Sequence, residues 1–149
     1  MTGEDFKDIL YEKDDESGIV TITLNTPGRK NALSAYSFLE LYWAAERMER
    51  DEGAYAMIIT GALNPDSDDP SKEAFSSGGY FDLRAYEGLS EEVMEQIDLT
   101  DIAQKRFTLK MWELDKPVIA AINGLAIGGA FTMCLTCAYL IYASEYAWV

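Results

Sequence analysis

A chain of 149 residues, 48% of them hydrophobic, is long enough to bury one core, and its composition argues against disorder. Twelve basic residues against 26 acidic ones leave a net charge of −14, which repels nucleic acid and anionic membrane surfaces at long range. Histidine is absent, so the commonest general base and metal ligand is missing, and no cluster has metal-ligand spacing.

The opening segment, Met1-Thr2-Gly3-Glu4-Asp5-Phe6-Lys7-Asp8, is acidic and has no apolar run. Neither a secretory signal nor an Arg-rich transit peptide is read there, and an intracellular protein is expected. Residues 9–13 and 18–25 alternate as strands do, with Asp14-Asp15-Glu16-Ser17 as the polar turn of a hairpin. After the breaker Thr26-Pro27-Gly28, Arg29 and Lys30 form a basic spot on an acidic chain. They are the candidates for holding an anionic ligand, since local cations act within a Debye length of about 8 Å. Ser34 is an N-cap candidate, and Leu39, Leu41, Tyr42, Ala45 and Met48 recur at helical spacing, which predicts a helix running to about Arg50.

Residues 54–61 read as a short apolar strand, buried on both sides if the sheet is parallel. Residues 62–72, rich in proline and aspartate, read as a solvated surface loop. Ser90-Glu91-Glu92 opens another helix, with Lys105, Arg106 and Lys110 late in it, as the helix dipole favours; the segment 111–117 ends it. Residues 118–122 and 140–143 are two further apolar strands. Strands alternating with helices predict an α/β domain with a parallel sheet and right-handed crossovers.

Two motifs invite other readings. Cys134 and Cys137 form a C-x-x-C, but they lie in an uncharged run without a second pair to complete a zinc site, so buried structural thiols are expected. Residues 117–144 carry no charge and exceed the ~20 residues of a membrane-spanning helix. The turn signal Asn123-Gly124 and the pair Gly128-Gly129 divide that stretch into strand, turn, helix and strand instead.

Two glycine-bearing turns carry the functional signal: Phe75-Ser76-Ser77-Gly78-Gly79 and Asn123-Gly124-Leu125-Ala126-Ile127-Gly128-Gly129. Glycine lets main-chain N–H groups approach a ligand closely, and two N–H groups converging on one point make an oxyanion hole. The second turn opens a helix, whose first N–H groups are unpaired and lie at the positive end of its dipole. Small residues at 124–130 would equally permit tight packing of helix on sheet.

In this order the segments resemble the crotonase (enoyl-CoA hydratase/isomerase) superfamily. The resemblance rests on residues 18–25 leading to Lys30-Asn31-Ala32-Leu33, then Ile58-Ile59-Thr60-Gly61, then Phe75 to Gly79, then Lys116-Pro117 through Asn123-Gly124 with Ile127-Gly128-Gly129. It implies a crotonase-like ββα spiral core, with residues 1–149 as the N-terminal part of a single domain left incomplete at its C-terminus. It implies an acyl-CoA thioester as substrate, coenzyme A being part of that substrate, with no separate cofactor and no metal. The backbone N–H groups of Gly79 and Gly129 would be the catalytic oxyanion hole. Lys30, Ala32, Ser77, Gly78, Gly79, Tyr80, Phe81 and Gly129 would bind substrate, with the Arg29 to Leu33 segment near the adenine and phosphates.

The chain also departs from the family pattern. Hydratases of the family carry a glutamate shortly after the second oxyanion glycine, and that position holds Thr132. The Δ3,Δ2-enoyl-CoA isomerase branch lacks this glutamate and moves a proton with one later acid, so the resemblance favours isomerisation. That acid would lie beyond Val149. Tyr80 stands where an aspartate is common after the first oxyanion residue, with Asp82 two positions on, and Ala138 stands where another aspartate is usual. Glu145 matches no family catalytic carboxylate and is expected in a surface turn. Residues 146–149 read as the middle of a strand, so the chain is expected to be a partial or truncated form. The alternative to an enzyme is an inactive module acting through CoA binding or subunit contacts. By resemblance, a full-length protein would form a homotrimer or hexamer in the peroxisome or cytoplasm, with mitochondria less favoured by the acidic N-terminus.

Overall fold

The computed structural model describes residues 6–137 and 140–149. Its first two strands, β1 (Ile9–Asp14) and β2 (Ile19–Leu24), form the expected antiparallel hairpin, in register from Ile9 opposite Leu24 to Asp14 opposite Ile19. Val20, Ile22 and Leu24 turn inward and are buried. A 3-10 turn, Pro27–Arg29, leads to the helix α1 (Ala35–Arg50). Ser34 caps α1 as predicted: its Oγ accepts from the Ser37 N–H at 3.1 Å while Ser37 Oγ accepts from the Ser34 N–H at 3.0 Å.

The strands β3 (Ala56–Gly61), β5 (Val118–Ile122) and β7 (Leu140–Ala143) run parallel to β2 in one sheet ordered β1-β2-β3-β5-β7. Between them, β4 (Ala74–Ser76) and β6 (Leu125–Ala126) leave this sheet and pair in parallel as a second, two-stranded one. Strand β3 is not buried on both sides. Met57, Ile59 and Gly61 are buried whereas Ala56, Ile58 and Thr60 are half-buried, because the helices cover one face of the main sheet more fully. The core joins that face to α1, to α3 (Lys105–Glu113) and to α4 (Gly129–Cys137), with Phe38 of α1 against Phe107 of α3 at 5.6 Å between ring centres.

The long helix expected from Ser90 onward is two helices. Residues Glu91–Met94 form α2, and α3 begins only at Lys105. The break has a local cause: Asp98 Oδ1 accepts from the N–H and hydroxyl of Thr100, and the buried Gln104, at φ 48°, donates its amide to the Asp98 carbonyl at 2.8 Å. These side chains offer the backbone a competing set of partners, and the helix stops. A second apolar cluster under this segment joins Val93 and Ile97 to Tyr36 and Leu39 on α1.

The uncharged stretch resolves into β5, β6, α4 and β7, and no helix among the described residues is long and apolar enough to cross a membrane. Cys134 is buried; the side chain of Cys137 and all of Ala138 lie outside the described residues. Glu145 is exposed in a turn, as expected. Residues 146–149 are not mid-strand: Trp148 makes one isolated parallel bridge to Leu125 after the turn at 145–146.

Candidate active site

The two glycine turns leave from neighbouring strands. Strand β4 feeds Ser77-Gly78-Gly79 and β6 feeds Ile127-Gly128-Gly129, and because β4 and β6 are parallel, both turns emerge at the same end. The Leu125 N–H donates to the Glu73 carbonyl at 3.0 Å and the Ile127 N–H to the Ser76 carbonyl at 3.1 Å. The pairing reaches the turns through a bulge: Ala74 stands opposite Leu125 and Ser76 opposite Ala126, so Phe75 is an extra residue on β4. A Cβ on Gly78 would lie 2.7 Å from the Ile127 oxygen and 3.8 Å from the Gly129 nitrogen, so the main chains of the two turns touch. At φ 92° and 57°, Gly78 and Gly128 hold left-handed conformations that disfavour side chains.

The bridge to Leu33 fixes the first turn. Leu33 bridges Gly79 in parallel fashion, donating its N–H to the Gly78 carbonyl at 2.8 Å and accepting from the Tyr80 N–H at 2.8 Å. This pattern uses the groups flanking Gly79 and turns its own N–H away from Leu33. Gly129 begins α4, where the first N–H groups have no partner within the helix. Both glycines are exposed, and nothing lies within 4 Å of where a Cβ on Gly129 would be. Phe81, 76% exposed, stands over Gly79 with its ring 3.0 Å from the position of an added Cβ.

The segment before α1 supports the first turn from behind. Lys30 and Asn31 both hold φ 53°, and the buried Asn31 side chain meets three main-chain groups: it accepts from the Thr26 N–H at 3.1 Å and donates to the Ala62 and Ala74 carbonyls at 2.9 and 2.8 Å. The Lys30 carbonyl accepts the Ser77 N–H at 2.9 Å. Ala32 is buried, while Lys30 is exposed and lines a cleft of about 680 Å³ with Lys72 and the carboxylates of Asp66, Asp68, Asp69 and Glu73. Of the two candidate cations, Arg29 is engaged within the fold, pairing with Asp8 at 2.7 Å and lying over the Tyr80 ring at 4.5 Å.

The side chains near the turns are mostly occupied. Thr132 Oγ1 donates back to the Gly128 carbonyl at 3.2 Å. Asp82 caps the short turn that follows it, accepting from the Arg84 N–H at 2.9 Å, and the Arg84 guanidinium draws its carboxyl down to about 2. Ser77 Oγ reaches the Arg29 carbonyl at 3.4 Å.

Three residues have structural roles that the motifs did not show. Asn123 clamps the end of β3, accepting the Gly61 N–H at 3.2 Å and donating to the Gly61 carbonyl at 2.8 Å, where only a turn signal was read. Asp8 and Glu40 are buried carboxylates. Glu40 had one visible signal, an acid between Leu39 and Leu41 in a helix stretch dense with apolar residues.

The main-chain arrangement agrees with the comparison to known proteins. Residues 14–148 match the family model described as enoyl-CoA hydratase/isomerase. The chain belongs to that family. It is 31% identical to a crotonyl-CoA hydratase from Syntrophomonas wolfei over 94% of its own length, and 30% identical to a probable peroxisomal enoyl-CoA hydratase 1 from Arabidopsis thaliana over 91%. A crystal structure of a probable enoyl-CoA hydratase from Mycobacterium smegmatis superposes on 95% of the chain, with a TM-score of 0.69 and 32% identity. The chain spans about half the length of each: 48%, 44% and 51% respectively. The crotonase fold expected from the motifs is thereby established.

Proposed function

We propose that the protein binds an acyl-CoA thioester and stabilises its enolate between the N–H groups of Gly79 and Gly129. The supporting observation is the parallel pairing of β4 with β6, which sets the Gly78 main chain against the stretch from Ile127 to Gly129. Removing a proton from C2 of a thioester moves the electron pair toward the carbonyl, and the oxygen takes up negative charge. Two fixed donors meet that charge as it develops, each worth about 3 kcal/mol in oxyanion holes of this kind. In isomerisation of a 3-enoyl thioester the proton returns at C4, and the double bond ends in conjugation with the carbonyl.

Δ3,Δ2-enoyl-CoA isomerisation is the reaction we favour over hydration. Hydration needs water activated and a proton delivered, and Thr132, bonded to its own helix at Gly128, offers no carboxylate at the position after the second glycine. Lys30 on the cleft edge is the residue we assign to the CoA phosphates, and Tyr80 and Phe81 with Ser77 and Gly78 to the acyl thioester. A peroxisomal or cytoplasmic location and a trimeric or hexameric assembly complete this reading; the name of the Arabidopsis relative supports the first of those compartments.

The decisive assay supplies a 3-enoyl-CoA and follows the ultraviolet absorbance of the conjugated 2-enoyl thioester. Conversion that is lost on moving the Gly78 backbone supports the isomerase. Thr132 in place of the acid also suits a module that binds CoA without turnover, and tight binding with neither conversion nor deuterium exchange at C2 would select that reading instead.

A further inference from the structure

Behind the first glycine turn lies a polar hub that the proposed chemistry does not use. Asp8, 5% exposed, accepts from Arg29 Nη2 at 2.7 Å and from Ser37 Oγ at 2.5 Å through the same oxygen. Its main chain is also held: the Asp8 N–H donates to Glu40 Oε2 at 2.8 Å, and its carbonyl accepts the Asn25 N–H at 2.8 Å. Glu40, fully buried, accepts the Lys7 N–H at 2.6 Å with its other oxygen. The start of β1, the end of β2 and the first turns of α1 therefore meet on one residue, Asp8, through its carboxylate, its carbonyl and its N–H.

Arg29 carries this order outward. Its Nε donates to the Ala32 carbonyl at 3.3 Å, its Nη2 is fixed by Asp8, and its plane covers the Tyr80 ring at 4.5 Å. Tyr80 is the residue immediately after Gly79, and its N–H is one of the two bonds that set the direction of the Gly79 amide. The Arg29 carbonyl also receives Ser77 Oγ. One residue thus touches the turn on both sides of Gly78-Gly79, its main-chain carbonyl at Ser77 and its guanidinium at Tyr80, without belonging to it. A planar, permanently charged group suits this task, because it can pair edgewise with a carboxylate and stack facewise on a ring at once.

We propose that Asp8 and Arg29 are a positioning pair that, through Tyr80, fixes the direction of the Gly79 N–H. The proposal rests on the reading of Gly79 as an oxyanion donor for its catalytic meaning, though the grip of the pair on the turn does not depend on any ligand. A hole built from main-chain donors is only as good as its geometry, and a displacement of about 1 Å in such a site costs on the order of a hundredfold in rate.

The test is amide hydrogen exchange on the unliganded chain, comparing wild type with Arg29→Met, Arg29→Lys and Tyr80→Leu. Arg29→Met removes both the pair and the stack while keeping the aliphatic stem. The Tyr80 N–H is expected to exchange about tenfold faster, with β3 amides unchanged as the measure of intact folding. Tyr80→Leu, which leaves Asp8 paired, is expected to loosen the same turn, and Arg29→Lys to give an intermediate rate, because a lysine keeps the charge without the plane. Unchanged exchange at residues 77–80 in Arg29→Met overturns the inference, as does acceleration spread equally over β3 in every variant. A second readout uses crotonyl-CoA labelled with 13C at the thioester carbonyl. Its carbonyl shift on binding is expected to shrink in Arg29→Met with affinity changed less than threefold or so, since binding and polarisation are separate. No carbonyl shift in the wild type would remove the oxyanion reading alone, and the exchange data would still decide the pair.

Discussion

The glycines of the two turns serve different ends, and substitution separates them. Gly78 has φ 92° and its Cβ would strike the Ile127 oxygen, so Gly78→Ala is expected to cost about 1–3 kcal/mol in denaturant unfolding. Gly129 has open space around it and an ordinary backbone, and Gly129→Ala is expected to stay within about 0.5 kcal/mol of wild type. A Cβ at Gly79 meets only the exposed Phe81 ring, which can swing aside. The glycine motifs were legible in the sequence because their spacing survives as spacing in the fold. Asn31 was not: its value comes from the carbonyls of Ala62 and Ala74, 31 and 43 residues away, which no local pattern announces. Arg29 misled in the opposite direction, since a basic residue before a helix reads as ligand-facing until Asp8 is placed against it.

Helix α1 is the element on which the site leans, and both of its ends are tied by distant residues. Lys116 Nζ donates to the Met48, Glu49 and Asp51 carbonyls at 2.8, 3.2 and 2.7 Å, meeting the acceptors left over at the C-terminal end. Lys116→Met is expected to cost about 2 kcal/mol and to raise exchange in the last turn of α1 before anywhere else. Glu40 gives the helix a pH signature. Burial raises its carboxyl above the usual 4.5, against the opposing pull of the Lys7 and Asp8 N–H groups. The folded chain then keeps a proton that the unfolded chain has released. Stability contributed by the protonated acid is full below pH 4.5 and is lost as pH rises through the raised value. Comparing thermal unfolding of wild type and Glu40→Gln across pH 4 to 7 should show a flatter slope in the variant. The helix and its cap were predictable because Ser34 and the apolar spacing are local; the break at Asp98 and Gln104 was not, since side-chain competition there overrides a favourable charge gradient.

Across the whole molecule, the −14 charge opposes any anionic ligand at a distance, and at the cleft Lys30 acts against the carboxylates of Asp66, Asp68, Asp69 and Glu73. Association with an acyl-CoA is therefore expected to speed up between about 20 and 200 mM salt, as repulsion is screened, and stopped-flow measurement of the on-rate checks the sign. Lys30→Ala should lower the on-rate at every salt concentration. The sheet order was only partly legible: the parallel strands follow from alternation with helices, but the departure of β4 and β6 into a sheet of their own rests on strands too short to show a period. That small sheet has an evolutionary consequence. A main-chain N–H survives every replacement except proline, so with glycine kept at 78 and 128 substitution can change the side chains around Gly79 and Gly129 while β4 and β6 leave both N–H groups in place. In the function we propose, the donors are inherited with the strands that carry them, and any side chain that moves a proton is replaceable one residue at a time.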